Sequence, residues 1–356
     1  MPVLGLAGGA ALMALLLFGQ GALGVRPPYG EGGTLTEVAP RYLPAAGRLL
    51  LGWVLGAAMI GWNGFNVGLG GASLAAVFGI PGPMGALLLA AAVLAVSYAS
   101  PAAGNRIAVL TTLAALALVT VCVALLRPAT PPVTLSMGGP GGLGGLGVAA
   151  DIAVIGGYVS VFALRAPDFS RGLSTRRDLV RCVLLLVAPA VVVIAAGAGV
   201  WLHTGSTDVV SALADADGLS SYANLFVTAG VFAPALTTTY SGALALRAVR
   251  PTMSNSAAML MVTVPGALLA TVRFDLLLLP WLSVLGAILP PLIIPMATEA
   301  WRRRRGRSPR PVATWTWLPA GLVATALTVA GSPVAGVAGL ALASLATVSH
   351  LWRGRR

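Results

Sequence analysis

The stretch that decides the fold is LLLGWVLGAAMIGWNGFNVGLGGASLAAV, residues 49–77. It holds no charged side chain and is longer than the ~20 apolar residues needed to cross the hydrocarbon core of a bilayer. Its middle, from Gly61 to Gly68, is interrupted by glycines and carries Trp62 and Asn66. The first expectation is a membrane helix with polar groups at its centre. Those groups are the first place to look for function, because amides are costly in lipid and tend to be kept only where they are used.

Ten further apolar runs flank this one, at 3–24, 84–100, 105–127, 147–165, 179–202, 219–247, 255–273, 276–299, 313–331 and 334–351. The gaps are short, which fits one helical bundle rather than separate domains. Composition agrees: 57% of the 356 residues are hydrophobic and 9% charged, with a mean hydropathy of +0.91. A water-soluble domain carries ~25% charged residues, so this chain has too few to cover a surface in water. The run at 3–24 has no basic stretch ahead of it and exceeds the apolar core of a signal peptide, so it reads as a retained helix.

Charge placement sets the orientation. All 22 basic residues are Arg. With the C-terminus cytoplasmic and eleven crossings, twenty of them fall in cytoplasmic segments and only Arg127 and Arg273 fall outside. The outer loop 203–218 has Asp208, Asp215 and Asp217 and no Arg, as the positive-inside rule requires. The expected location is therefore multi-pass in the inner (plasma) membrane. The arginines sit in short clusters without interleaved aromatics, which argues against a nucleic-acid partner despite the net charge of +12. Nothing in the sequence speaks to oligomeric state.

Cys122 and Cys182 lie in apolar runs and His203 and His350 are isolated, so neither a disulfide framework nor a metal site is expected. The Pro/Gly-rich segment 128–147 contains a G-x-G-x-x-G string from Gly139 to Gly144. No strand precedes it, and it reads as a flexible external linker. Hydrolase and zinc-protease signatures are missing, and an enzyme is not expected. Asp275 reads as a local pair with Arg273 in an outer turn, and Asp151 and Glu299 as interface residues near span ends.

Three groups inside the spans could carry chemistry. Trp62 and Asn66, four apart, share a helix face. An indole there can stack on a planar ring, worth ~1–3 kcal/mol per base in nucleic-acid binders, while a carboxamide reads donors and acceptors along its edge. The competing reading is small-residue packing with an interhelical Asn hydrogen bond. In Gly156-Gly157-Tyr158-Val159-Ser160, adjacent glycines weaken the helix, so Tyr158 and Ser160 either line a cavity or sit in a close helix contact. In the stretch from Pro234 to Gly242, Pro234 frees a carbonyl four residues earlier and Thr237, Thr238 and Thr239 supply hydroxyls. Such oxygens suit a hard cation, or they bond back to carbonyls of their own helix.

With these residues go Ala166-Pro167-Asp168-Phe169-Ser170-Arg171 after the fifth run, Leu236-Thr237-Thr238-Thr239, and Ile288-Leu289-Pro290-Pro291 ahead of the Arg cluster. In their order and spacing the chain resembles the nucleobase–cation symporter family, which holds cytosine and purine permeases and the bacterial hydantoin transporter. The resemblance implies an all-α, polytopic, inverted-repeat fold of five plus five helices with two trailing ones, working by alternating access and coupled to Na⁺ or H⁺. It aligns the first run with the family's second helix. The chain then reads as that fold without its first helix: 1–127 an incomplete first repeat, 128–146 the linker, 147–299 the second repeat, 313–352 the trailing pair.

By position, the resemblance implies that Trp62 stacks on the substrate and that Asn66 replaces a substrate-binding glutamine. It implies that Val159 occupies an aromatic contact with Tyr158 beside it, and that Thr237, Thr238 and the Pro234 carbonyl ligate the cation. Gly242 and Ala243 stand where relatives have polar substrate contacts, which argues against cytosine in particular. Asp168 reads as a structural group beside Arg171. The implied function is import of a nucleobase such as cytosine, or a related purine or pyrimidine heterocycle, by cation symport, with no cofactor beyond the coupling ion. The rivals are a transporter of another small solute (a thiamine precursor, allantoin or an amino acid) and a nontransporting remnant.

Overall fold

The computed structural model describes residues 3–99, 101–125, 152, 155, 158–204, 208–214 and 220–353. The linker 128–146, Arg127, Asp151, Gly156, Gly157, Asp215 and Asp217 lie outside them, as do the side chains of Cys122 and His203.

Every described element is helical: α1 (Val3–Gly21), α2 (Leu35–Tyr42), α3 (Ala45–Phe78), α4 (Gly82–Tyr98), α5 (Pro101–Leu125), α6 (Ala166–Ser170), α7 (Arg176–Thr204), α8 (Val209–Ala214), α9 (Ser220–Val249), α10 (Asn255–Thr271), α11 (Leu278–Ile288), α12 (Pro290–Arg304), α13 (Leu318–Val329) and α14 (Ala335–Arg353), with 3-10 turns at Phe274–Leu277 and Thr314–Thr316. Ten of the eleven apolar runs coincide with described helices, and the run at 147–165 is described only in part, helical over 158–164. The run at 276–299 differs from a plain span. It is split at Leu289, where Pro290 and Pro291 withhold two backbone donors from the helix ladder. The connection 33–41 holds a short amphipathic helix, α2, started by Glu37 accepting from the Thr34 amide at 2.8 Å.

The surface is apolar and the interior holds the amides. Leu110, Leu113 and Leu116 of α5, Leu184, Leu185, Val192 and Val193 of α7, and Leu342 and Leu345 of α14 are exposed, whereas Asn63, Asn66, Ser160, Thr239 and Thr263 are buried. A water-soluble monomer does not display apolar surface on this scale; lipid is the solvent that suits it. Five segments meet both the length and the hydropathy for a membrane crossing outright: Leu4–Gly21, Ala45–Phe78, Arg176–Gly199, Phe274–Arg304 and Ala335–Trp352. Gly82–Tyr98, Val109–Thr120 and Asn255–Thr271 are shorter apolar helices.

The chain forms two compact units, one of residues 1–50, 135–191 and 279–356, the other of 51–134 and 192–278. Each takes segments from both sides of the linker. In the first, α1 lies so close to the helix carrying Ile152 and Ile155 that Gly8 and Gly9 have no room for a Cβ. The Ser170 hydroxyl donates to the Gly21 carbonyl at 2.6 Å. Asp168 pairs with Arg165 at 3.0 Å and accepts from the Leu35 amide at 2.8 Å. The expected neighbour Arg171 pairs instead with Glu37 at 3.4 Å. Both arginines are three residues from Asp168, but the chain leaves helical geometry at Arg171 (φ −56°, ψ 124°), which turns that side chain off the Asp168 face. Glu299, expected at an interface, is a buried anchor that accepts from Arg302 at 2.7 Å, Arg303 at 3.0 Å and the Arg310 amide at 2.7 Å.

In the second unit, α3, α4, α5, α9 and α10 pack together. α3 and α4 touch backbone to backbone at Gly71 and Gly85, and the Thr228 hydroxyl of α9 donates to the Gly70 carbonyl at 2.9 Å. Past α10, Arg273 turns the chain in the left-handed region (φ 57°). Its guanidinium reaches Asp275 at 2.9 Å, the local pair the sequence suggests, and Asp208 at 3.2 Å. Hydrogen bonding to Asp275, followed by the charge of both carboxylates, raises the Arg273 pKa against the opposing effect of burial.

Candidate functional site

At 1.5 Å per residue, the 34 residues of α3 extend about 51 Å, so the Gly61–Gly68 stretch falls near its middle. Trp62, Asn63 and Asn66 are 4%, 0% and 5% exposed. The Trp62 ring meets Phe65 edge-on, with centroids 5.6 Å apart and planes at 86°. Asn66 donates one amide hydrogen to the Trp62 backbone carbonyl at 2.8 Å, a bond back onto its own helix. Both residues of the expected pair are buried at mid-helix.

The stronger cross-helix contact belongs to Asn63, which sequence reasoning did not single out. Its amide donates to the Thr239 hydroxyl at 2.9 Å, with the Ala235 carbonyl and Thr238 hydroxyl at 3.4 and 3.5 Å. Thr239 in turn lies 3.2 Å from the Thr263 hydroxyl of α10. One asparagine thus ties α3 to α9, and α9 ties to α10, through neutral polar groups. Its Oδ1 is buried without a hydrogen-bond partner and fills the space a Cβ on Gly266 would take, 2.4 Å away. Gly64 of α3 likewise abuts the Gly266 carbonyl. The signal for Asn63 was present in the sequence, an amide among glycines. Which helix it faces depends on packing that spacing alone does not encode.

The expected cation group lies on the same helix as these partners. Pro234 and Thr237 are exposed and Thr238 is buried. The Thr237 hydroxyl donates to the Ala233 carbonyl at 2.9 Å, and that of Thr238 to the Ala235 carbonyl at 2.9 Å. Both hydroxyls satisfy their own helix, as the alternative reading had it. A hydroxyl that donates its hydrogen retains its oxygen lone pairs, so neither oxygen is lost as a ligand. Any ion held here would meet neutral oxygens, and among the described residues no group of three or more His, Cys, Asp or Glu gathers.

Tyr158, Val159 and Ser160 belong to the other compact unit. Tyr158 is half-buried, with its ring 6.4 Å from that of Phe162. Val159 and Ser160 are buried. The two glycines that motivated this group lie outside the described residues. A further buried amide, Gln20 of α1, donates to the Leu164 carbonyl at 3.4 Å.

No protein-family model and no curated protein matches this chain. Among solved structures it is similar to Mhp1, a nucleobase-cation-symport-1 family transporter, in a closed conformation with bromovinylhydantoin bound: 17% identity, a TM-score of 0.74, and coverage of 98% of this chain and 84% of that one. The inward-facing conformation of Mhp1 matches with 18% identity, a TM-score of 0.73, and coverage of 99% and 84%. At such identity the likeness establishes the fold. The chain is an all-α, polytopic membrane protein with the fold of that transporter.

Proposed function

We propose that this protein is a secondary active transporter that imports a planar heterocycle, a nucleobase or a close relative, by cation symport. The reading rests on one observation above all: Trp62, Asn63 and Asn66 are buried at the middle of a membrane helix, and Asn63 is hydrogen-bonded to the hydroxyl-bearing turn of α9. The solved structure with the same fold holds a hydantoin, a planar ring edged with amide-like donors and acceptors. A ring of that kind suits an indole face and a carboxamide edge.

In this reading Trp62 stacks on the ring and Asn66 reads its edge. Thr237, Thr238 and the Pro234 carbonyl ligate the ion; neutral oxygens of this kind suit Na⁺, and H⁺ is the alternative coupling ion. Tyr158, Val159 and Ser160 enter as substrate contacts on the sequence resemblance. Ion and substrate are coupled if both stabilise the same conformation, each raising the other's affinity by the same factor. Asn63 supplies the physical link, since it adjoins Trp62 in α3 and holds the Thr238–Thr239 turn of α9.

The test is uptake of labelled cytosine, uracil, purines and hydantoins by cells expressing the chain, beside the Trp62→Ala variant. Uptake of at least one compound, lost in the variant, is expected. Uptake unchanged by Trp62→Ala would reject this site. A panel with no uptake, while a thiamine precursor, allantoin or an amino acid is carried, would move the substrate class.

A further inference from the structure

The end of α12 concentrates charge. Arg302, Arg303, Arg304 and Arg305 close the helix, and Arg307 and Arg310 follow the left-handed turn at Gly306 (φ 70°). Their partners divide them. Arg302 and Arg303 hold Glu299, and Arg303 also lies 3.8 Å from Glu31 and 4.0 Å from the centroid of the Tyr42 ring. Arg41 takes Glu31 at 2.8 Å. Burial pushes the Glu31 carboxyl up, but hydrogen bonds from Arg41 and Tyr42 and the charges of Arg303 and Arg41 outweigh it, leaving the group below the usual carboxylate range. Both carboxylates are thus spoken for by arginines. Arg304, Arg305 and Arg307 are exposed and pair with no carboxylate among the described residues.

Two of these three are held in place by aromatic rings. Arg304 lies over Tyr29 at 4.9 Å and Arg305 over Trp301 at 4.0 Å. A guanidinium stacked on a ring keeps its in-plane N–H groups for oxygen ligands. Arg303 and Arg304, with Tyr29, Glu31 and Tyr42, line a cavity of about 130 Å³. That is room for about four waters, the scale of a phosphodiester group. Arg41, Arg302 and Arg303 already neutralise the two carboxylates, and Arg304, Arg305 and Arg307 add charge beyond them. The helix end adds ~0.5 of a negative charge. Its carbonyls are largely met by the amides of Arg305, Gly306 and Arg307, so the balance favours an anion. Trp301 and Trp315 stand 48% and 43% exposed at the same end, and tryptophan prefers the headgroup layer. The anion is therefore met at the depth of lipid phosphates.

We propose that this cavity binds the phosphate of an anionic phospholipid, with Arg304 as the principal ligand and Arg305 and Arg307 around it. The site stands independently of the transport reading. It is tested by native mass spectrometry of the purified chain with phosphatidylglycerol or phosphatidylcholine, and by melting with each lipid. Each arginine at a membrane surface contributes about fivefold in affinity. Wild type should favour phosphatidylglycerol by on the order of tenfold, and Arg304→Gln with Arg305→Gln should erase that preference while leaving the melt in plain detergent unchanged. Equal retention of the two lipids by wild type, or an unchanged preference in the double variant, overturns the site. Equal stabilisation by glycerol phosphate or inorganic phosphate overturns the lipid assignment in favour of a soluble anion. Should the double variant not fold, Tyr29→Leu decides: it keeps every charge and removes the ring under Arg304, and an undiminished preference contradicts the proposal.

Discussion

Replacing Asn63 by leucine should cost little, and replacing its partner Thr239 by valine should cost more. Asn63→Leu removes one good hydrogen bond, at 2.9 Å, and two marginal ones at 3.4 and 3.5 Å. Inside a membrane protein such a bond is worth ~0.6 kcal/mol on average and about 1.7 at most. The same change removes a buried acceptor, Oδ1, that has no partner, relieving ~1–3 kcal/mol of desolvation. Thr239 keeps Thr263 at 3.2 Å. The expected net is about zero, or a gain of ~1 kcal/mol. Thr239→Val instead removes the one good acceptor of the buried Asn63 amide, leaving its donor only the 3.4 and 3.5 Å contacts and its Oδ1 unpartnered as before, at ~1–3 kcal/mol. The double variant has no stranded amide and should return to near wild type, so the two changes couple by ~1–2 kcal/mol. Reversible unfolding of the four proteins in mixed micelles reads these differences. If Asn63→Leu were the least stable of the four, or the two effects simply added, the bridging role would be wrong.

Other outcomes follow from the same contacts. Gly266→Ala drives a Cβ to 2.4 Å from Asn63 Oδ1; it should destabilise by ~1–3 kcal/mol, and Asn63→Ala should restore most of the melting temperature. Arg273→Gln leaves Asp275, whose side chain is only 3% exposed, without its guanidinium. Breaking a buried pair costs ~3–5 kcal/mol; since Arg273 itself is one-third exposed, the loss should fall toward the low end of that range in a melt. Glu31 titrates below its ordinary range, so it contributes stability above its unfolded-state pKa and loses it as pH falls through the lower folded value. Acid melts of wild type should drop there, and Glu31→Gln should flatten that drop.

The helices were legible because lipid demands long apolar runs, and the runs at 49–77, 179–202 and 334–351 fall on α3, α7 and α14. Trp62 and Asn66 were legible as a pair because i and i+4 must share a face. Asn63 was not, because neighbouring residues on a helix point about 100° apart, and only the packing of α9 against α3 decides what it meets. The partner of Asp168 was misread for a related reason: Arg165 and Arg171 are equally near in sequence, and the α6 geometry chooses Arg165. α2 had a readable start in Thr34-x-x-Glu37, but at eight residues it carries too little periodicity to announce itself.

The most direct test of the account is accumulation of the labelled heterocycle in proteoliposomes of the purified chain under an imposed Na⁺ or H⁺ gradient. Uptake should exceed equilibration only with one of the two gradients inward, collapse when that gradient is dissipated, and vanish in Trp62→Ala and Thr238→Ala. Equilibration indifferent to both gradients, or gradient-driven uptake that survives both substitutions, would contradict it.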